Sequence, residues 1–255
     1  MADGQVLPSP NSDTLLRAPL ELVVCQVRHE PYGDSVQPEQ ALAFHNAVSD
    51  HFPRAEATTG HEFLIDPNTG IPQVTRGGAW RFTSTDGHWV ATVSPDSFAL
   101  EAKSYTTWTD FHALLSEVVD AAIETSSPKL LQRVGVRCID RIWREGSTLP
   151  SSWAGLLDPG VLGLATNPAL ASAVTLAQTY SEMVFQQYRA GVRGSLATDK
   201  NPSGYSMVLD TDCYDDTAKA FKKETIDEVV GDLHTLSLQL FQTVITDTLY
   251  CELHG

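Results

Sequence analysis

Two near-identical pentapeptides carry the most distinctive charge pattern of the chain. Arg133 to Arg137 reads RVGVR and Arg189 to Arg193 reads RAGVR, agreeing at four of five positions. In an extended strand alternate side chains share a face. Arg133, Gly135, Arg137, Ile139 and Arg141 then line one side of the first segment, and Arg189, Gly191 and Arg193 one side of the second. The glycine between two arginines leaves a shallow notch, and guanidinium forks bind phosphate or carboxylate bidentately. On neighbouring strands, Arg133, Arg137, Arg141, Arg189 and Arg193 would form an anion-binding or nucleic-acid-facing surface. The competing reading is cross-strand pairing with carboxylates. The chain has 32 acidic residues against 17 basic ones, and Glu101 and Glu182 are candidate partners.

Other chemistry is weaker. DTDCYDD, Asp210 to Asp216, invites a calcium reading, but that loop template needs Gly at its sixth position and Glu at its twelfth. Asp215 and Phe221 stand there, so the segment reads as a solvated strand exit. The histidines and cysteines show no metal spacing. There is no G-x-S-x-G elbow, and TRGGAW is not followed by the helix and G-K-[ST] of a phosphate loop. No catalytic residue, metal site or cofactor is predicted. Trp80, Trp89, Trp108 and Trp143 suit a sheet–helix core or a protein interface.

The elements that must position these residues follow from periodicity and turn chemistry. PLELVVCQVRH reads as a strand and PEQALAFHNAVSDHF as a helix with Leu42, Val48 and Phe52 apolar. HEFLID reads as a short strand and PNTGIP as a loop. AWRFTSTDGHWVATVSPDSFALEAKSY holds three strands, with Asp86-Gly87 as a two-residue hairpin turn. TDFHALLSEVVDAAIETS is a helix capped by Thr109, and LLQRVGVRCIDRIW is a long strand. Residues 147–173 read as short helices and loops. Three further strands follow, and the chain closes as one long helix, with Ile226, Val229, Val230, Leu233, Leu236, Leu240 and Val244 on one face. Gly231 within it predicts close helix–sheet packing.

Each half thus reads as strand, helical region, antiparallel strands and long helix. The expected fold is α+β, a pseudo-duplicated unit whose curved antiparallel sheet packs against two long helices. The predicted organisation is a flexible arm over 1–13, a first half over 14–146 and a second half over 147–255, in one compact domain. The other face of the sheet is left for solvent or a partner.

Charge and hydropathy bound the environment. The net charge of −15 disfavours non-specific binding to nucleic acid or anionic lipid. No apolar run reaches the roughly 20 residues of a membrane helix, and the first residues lack the pattern of a secretory signal. The four scattered cysteines read as reduced thiols, so a cytoplasmic location is expected.

RAPLELVVCQVR, the stretch from GAWRFTSTDGHW to TDFHALL, RVGVRCIDRI and HTLSLQLFQTVITDTLYCEL resemble a sporadically distributed family of uncharacterised bacterial proteins. Its pattern is a W-x-F-x-S-x-D hairpin, an R-x-G-x-R strand and a closing F-x-x-x-I-T-D-x-L helix. The resemblance is weakest over 145–176. It departs at Cys138 and Asp140, where the family carries Tyr and Asn. Its patchy distribution implies an accessory role of the phage-defence or mobile-element kind. The expectation is therefore a non-catalytic binding or assembly protein. Its open sheet face would contact a protein partner or a further copy, and recognition of an anionic ligand or nucleic acid by the arginine face is the alternative.

Overall fold

The structure is a computed structural model that describes residues 7–11, 13–59, 64–65, 72–73, 78–200 and 203–255. The chain opens with β1 (Leu20–His29), α1 (Pro38–Val48), β2 (Arg54–Thr59), β3 (Leu64–Ile65) and β4 (Pro72–Gln73). There follow β5 (Gly78–Thr83), β6 (Trp89–Ser94), β7 (Ser97–Ala102), α2 (Trp108–Ser126) and β8 (Leu130–Ile142). A segment of 3-10 turns around α3 (Pro159–Leu162) leads to β9 (Ala177–Phe185), β10 (Tyr188–Lys200) and β11 (Ser203–Asp215). The short β12 (Lys219–Ala220) precedes α4 (Lys223–Val244) and α5 (Asp247–His254).

The fold is α+β, built on one open antiparallel sheet of ten strands, as the alternation of strand and helix patterns predicts. The strand order is β2-β5-β6-β7-β1-β8-β11-β10-β9, with β12 paired to β8. The duplication is visible in that order. The antiparallel run β7-β6-β5 beside β1 repeats as β11-β10-β9 beside β8, and each run is followed by a long helix, α2 or α4. Of HEFLID, only Leu64 and Ile65 are described, paired with Gln73 and Pro72. Of the PNTGIP loop only Pro72 is described, as the start of β4, and most of TRGG lies outside the described residues.

The compact units do not follow the two halves of the sequence. One comprises Met1–Val23, Gly135–Asp215 and Val230–Gly255, the other Val24–Val134 and Asp216–Val229. β1, β8 and α4 therefore each contribute residues to both units. The division expected at 146 coincides with none of these boundaries, because a periodic pattern shows elements but not which of them pack together.

The second unit has a phenylalanine core. Phe44, Phe82, Phe98 and Phe111 are buried, with the Phe44 and Phe82 rings 4.9 Å apart. In α2, Phe111, Leu114, Leu115, Val118, Val119 and Ala122 face inward. Its cap is Thr107, not Thr109: the Thr107 hydroxyl accepts from the Asp110 N–H and donates to the Asp110 carboxylate at 2.6 Å. A hydroxyl two residues earlier reaches the orphan N–H groups of the first turn and extends the helix to Trp108. Val48 of α1 and Phe52 just beyond it are buried as expected, but Leu42 is 60% exposed, and Ala41 and Phe44 take the inner positions. The Asp86-Gly87 hairpin forms with a longer loop than a two-residue turn. Gly87 N–H donates to Ser84 C=O, and only Gly87 has positive φ (77°). The Asp86 carboxylate accepts from the Ser84 hydroxyl and the His88 N–H, which fixes this wider turn.

The first unit packs Ile142, Trp153, Leu157, Leu162, Leu196, Met207 and Leu209 against Phe241, Ile245, Leu249 and Leu253. The closing helix is broken rather than continuous. Thr246 N–H donates to Leu156 C=O at 2.9 Å, and Asp158 N–H donates to Val244 C=O at 2.8 Å. These bonds to the 3-10 segment end α4, and Thr246 then caps α5. The close packing expected at Gly231 is absent: a Cβ there would meet nothing within 4 Å, so no neighbour demands the glycine. Pro8 C=O accepts from the Gln239 side chain and Asn11 exchanges two hydrogen bonds with Gln242, so this part of the amino-terminal arm lies along α4.

Candidate functional site

β8, β11, β10 and β9 are consecutive in the sheet. The two arginine pentapeptides are therefore not on neighbouring strands, because β11 lies between them. Strand alternation sends Val134, Val136 and Ile142 of β8 to the core, each at most 1% exposed. Arg137 and Arg141 point the other way, as expected. On β10, Ala190, Val192 and Leu196 are buried, which turns Arg189 and Arg193 to the same open face.

What fills the gap between the pentapeptides is Asp210 of β11. Arg193 and Asp210 are register partners. Arg137 holds the Asp210 carboxylate as a fork, Nε to Oδ1 at 2.7 Å and Nη2 to Oδ2 at 2.8 Å. Arg193 Nη1 donates to the same Oδ2 at 3.0 Å. The Asp210 side chain is 12% exposed, against 42% and 37% for the two arginines. The hydrogen bonds to Asp210 hold the Arg137 guanidinium above its ordinary pKa, although burial opposes the charge.

Around this three-residue bridge the other charges are paired too. Arg189 lies 3.5 Å from Glu182, which also accepts from the Tyr214 hydroxyl at 3.1 Å. Arg141 contacts Glu21 at 3.1 Å and donates to the Ser206 hydroxyl. The Arg193 guanidinium lies over the Tyr180 ring, 5.5 Å from its centroid. The expected notch at Gly191 is occupied, because a Cβ at Gly191 would come within 2.9 Å of the Tyr180 hydroxyl. Burial raises the Tyr180 pKa, and Glu182 adds to that. Arg133 is placed in the second unit, half-buried, where its charge lowers the pKa of the Cys25 thiol against a larger rise from burial.

The carboxylate partners settle how the arginines are held. Glu182 is one of the partners the sequence suggests. Asp210, expected in a solvated strand exit, is instead inside β11, with Cys213 and Asp215 buried beyond it. Alternation alone puts Asp210 and Asp212 on one face. Only the pairing of the strands sets Asp210 between Arg137 and Arg193. Glu101 lies on β7 of the second unit.

The core side of β8 carries a second unusual group. Asp140 is 6% exposed between Cys138 and Ile142, and burial alone pushes its carboxyl up to about 7. The neighbouring Cys138 thiol is pushed up to about 12 by burial, with Asp140 adding to the rise, and donates to Ser237 of α4 at 3.9 Å. Among the described residues, no group of three or more His, Cys, Asp or Glu side chains could hold a metal ion, and no helix is long and apolar enough to cross a membrane.

No family model matches the chain, and no curated protein matches it. Among solved structures, one similar chain is in the complex of the Mycobacterium tuberculosis type VII secretion system chaperone EspG5 with the PE25–PPE41 dimer. It is 6% identical, covers 89% of this chain and 74% of its own, and has a TM-score of 0.17. A likeness at that score carries no argument about fold or function.

Proposed function

We propose that the chain is a non-catalytic binding protein whose open face over β8, β11, β10 and β9 docks a protein partner. The observation that supports this is the Arg137–Asp210–Arg193 bridge with Tyr180 beneath Arg193. Arginine and tyrosine are the side chains that dominate protein interfaces, and they do so when they are held in place before binding. Here ion pairs and ring contacts hold them, and positive and negative charges alternate across the strands. A partner of mixed charge fits such a face. A free phosphate would have to displace the tethered Asp210 carboxylate from two guanidinium groups, so the anion reading is the weaker one. The accessory role of phage-defence or mobile-element type rests on the sequence resemblance, and the cytoplasmic location on the four free cysteines.

The test is affinity capture from native extract with the wild type, Arg189→Glu and Arg193→Ala. The reading expects a stoichiometric protein that resists high salt, is lost in both variants, and rebinds when the two purified proteins are mixed. Capture of nucleic acid or nucleotide that elutes with salt would overturn it in favour of anion recognition. Equal capture by all three proteins would remove the face from the reading.

A further inference from the structure

β9 is the last strand of the order, and among the described residues it pairs only with β10. No described strand lies against its outer row of backbone N–H and C=O groups. Such an edge is normally protected by shortness, proline, lysine or a bulge, because another strand can add to it. β2, the strand at the other end of the order, is protected: it has six residues, carries Arg54 and Glu56, and exposes no large apolar side chain. β9 is not. It has nine residues, AQTYSEMVF, with no lysine and no proline.

Its exposed side chains form a symmetric pattern. Leu176, just before the strand, is 64% exposed, Tyr180 42% and Val184 65%. Between them stand Gln178 and Glu182, also exposed. Read outward from Tyr180, the order is polar then apolar in both directions. An antiparallel partner of the same sequence, centred on Tyr180, sets Leu176 against Val184, Tyr180 against Tyr180 and Gln178 against Glu182. Every exposed apolar residue then meets an apolar one, and the acidic residue meets an amide that donates to it. Moving the centre to Glu182 would oppose two carboxylates, and centring on Ser181 would set Val184 against Gln178. On the inner face the same register opposes Ala177 to Met183 and Thr179 to Ser181, with no charge on either side.

We propose that β9 is a homodimer edge, at which two copies of the chain pair antiparallel about a two-fold axis through Tyr180. The contact is isologous and so closes on itself instead of growing into a filament. Tyr180 is shared with the arginine face, but Leu176 and Val184 take no part in the Arg137–Asp210–Arg193 bridge, so variants at those two positions test this pairing apart from the partner reading. Each copy carries a net charge of −15, so long-range repulsion opposes the pairing and salt screening favours it.

The experiment is sedimentation of the full chain over a concentration series, with Val184→Lys, Leu176→Glu and the double variant. Each single variant is expected to weaken the dimer about tenfold or more, through a charge opposite an apolar side chain. In the double variant the introduced lysine of one copy meets the introduced glutamate of the other, and dimerisation returns. Raising salt from low to physiological strength strengthens the wild-type dimer. Backbone hydrogen exchange reads the same event without a substitution: β9 amides are protected in concentrated wild type and exchange freely on dilution. A wild type that stays monomeric at about 100 μM overturns the proposal. So does a dimer that both single variants leave intact, or a double variant as weak as the singles.

Discussion

The Tyr180 ring lies under the Arg193 guanidinium, 5.5 Å from centroid to carbon, and occupies the space that a side chain on Gly191 would need. The glycine of RAGVR is therefore explained by a neighbour on β9, not by a vacant notch for a ligand. This contact links the arginine face to the sheet edge, because Tyr180 belongs to both.

Two glycines of β10 make a graded comparison. At Gly191 an added Cβ meets the end of the Tyr180 side chain, which can swing outward. At Gly194 it meets the Val161 carbonyl, together with Met207 and Thr179. A backbone oxygen cannot move aside without shifting α3. Gly191→Ala is expected to cost about 1 kcal/mol and Gly194→Ala about 3 kcal/mol. Urea unfolding of the two variants checks the order; equal costs would mean that α3 is not held against β10.

The Asp210 bridge predicts an asymmetric response to truncation. Asp210 is the least exposed member, and its loss leaves two guanidinium groups facing each other. Asp210→Ala is expected to destabilise by about 2 kcal/mol. Arg137→Ala and Arg193→Ala are expected to cost about 1 kcal/mol or less, since both arginines are more than a third exposed and the remaining arginine keeps the carboxylate paired. A double-mutant cycle on Arg137 and Asp210 measures the coupling, and a coupling of zero would mean that the fork contributes nothing to stability.

Asp140 sets a pH dependence with a definite sign. Its folded pKa is raised to about 7, while an unfolded aspartate titrates at about 4. Between those values the folded state keeps a proton that the unfolded state releases. Stability contributed by this group is full below about pH 4, falls as pH rises through the window, and levels off above about pH 7. Asp140→Asn is expected to remove that slope, leaving the variant more stable than the wild type at pH 8 by about 2–4 kcal/mol. Thermal midpoints of both proteins from pH 4 to 8 provide the check; parallel curves would show that the carboxyl is solvated.

Thiol accessibility gives a simple test of the cysteine assignments. Cys25 and Cys213 are buried, Cys138 is half-buried with its thiol pushed up to about 12, and Cys251 is exposed on α5. One thiol per folded chain is expected to react quickly with a thiol-exchange reagent at about pH 7.5, and all four after unfolding. Fast reaction of a second thiol would show that α4 opens over Cys138.

Alternation and 3.6-residue periodicity are local properties, so the sequence alone determined that β1, β8, β10 and β11 are strands, that α2 and α4 bury their apolar stripes, and that the two halves repeat one order of elements. It also placed Arg137, Arg141, Arg189 and Arg193 opposite the core, since parity along a strand needs no partner. Register is different, because it is a relation between distant segments. Only the tertiary structure inserted β11 between the two arginine strands, set Asp210 between Arg137 and Arg193, and filled the Gly191 notch with Tyr180. The break between α4 and α5 was hidden for the same reason. Its cause is the hydrogen bonds that tie Leu156 and Asp158, far earlier in the chain, to backbone groups that an isolated helix would have kept for itself.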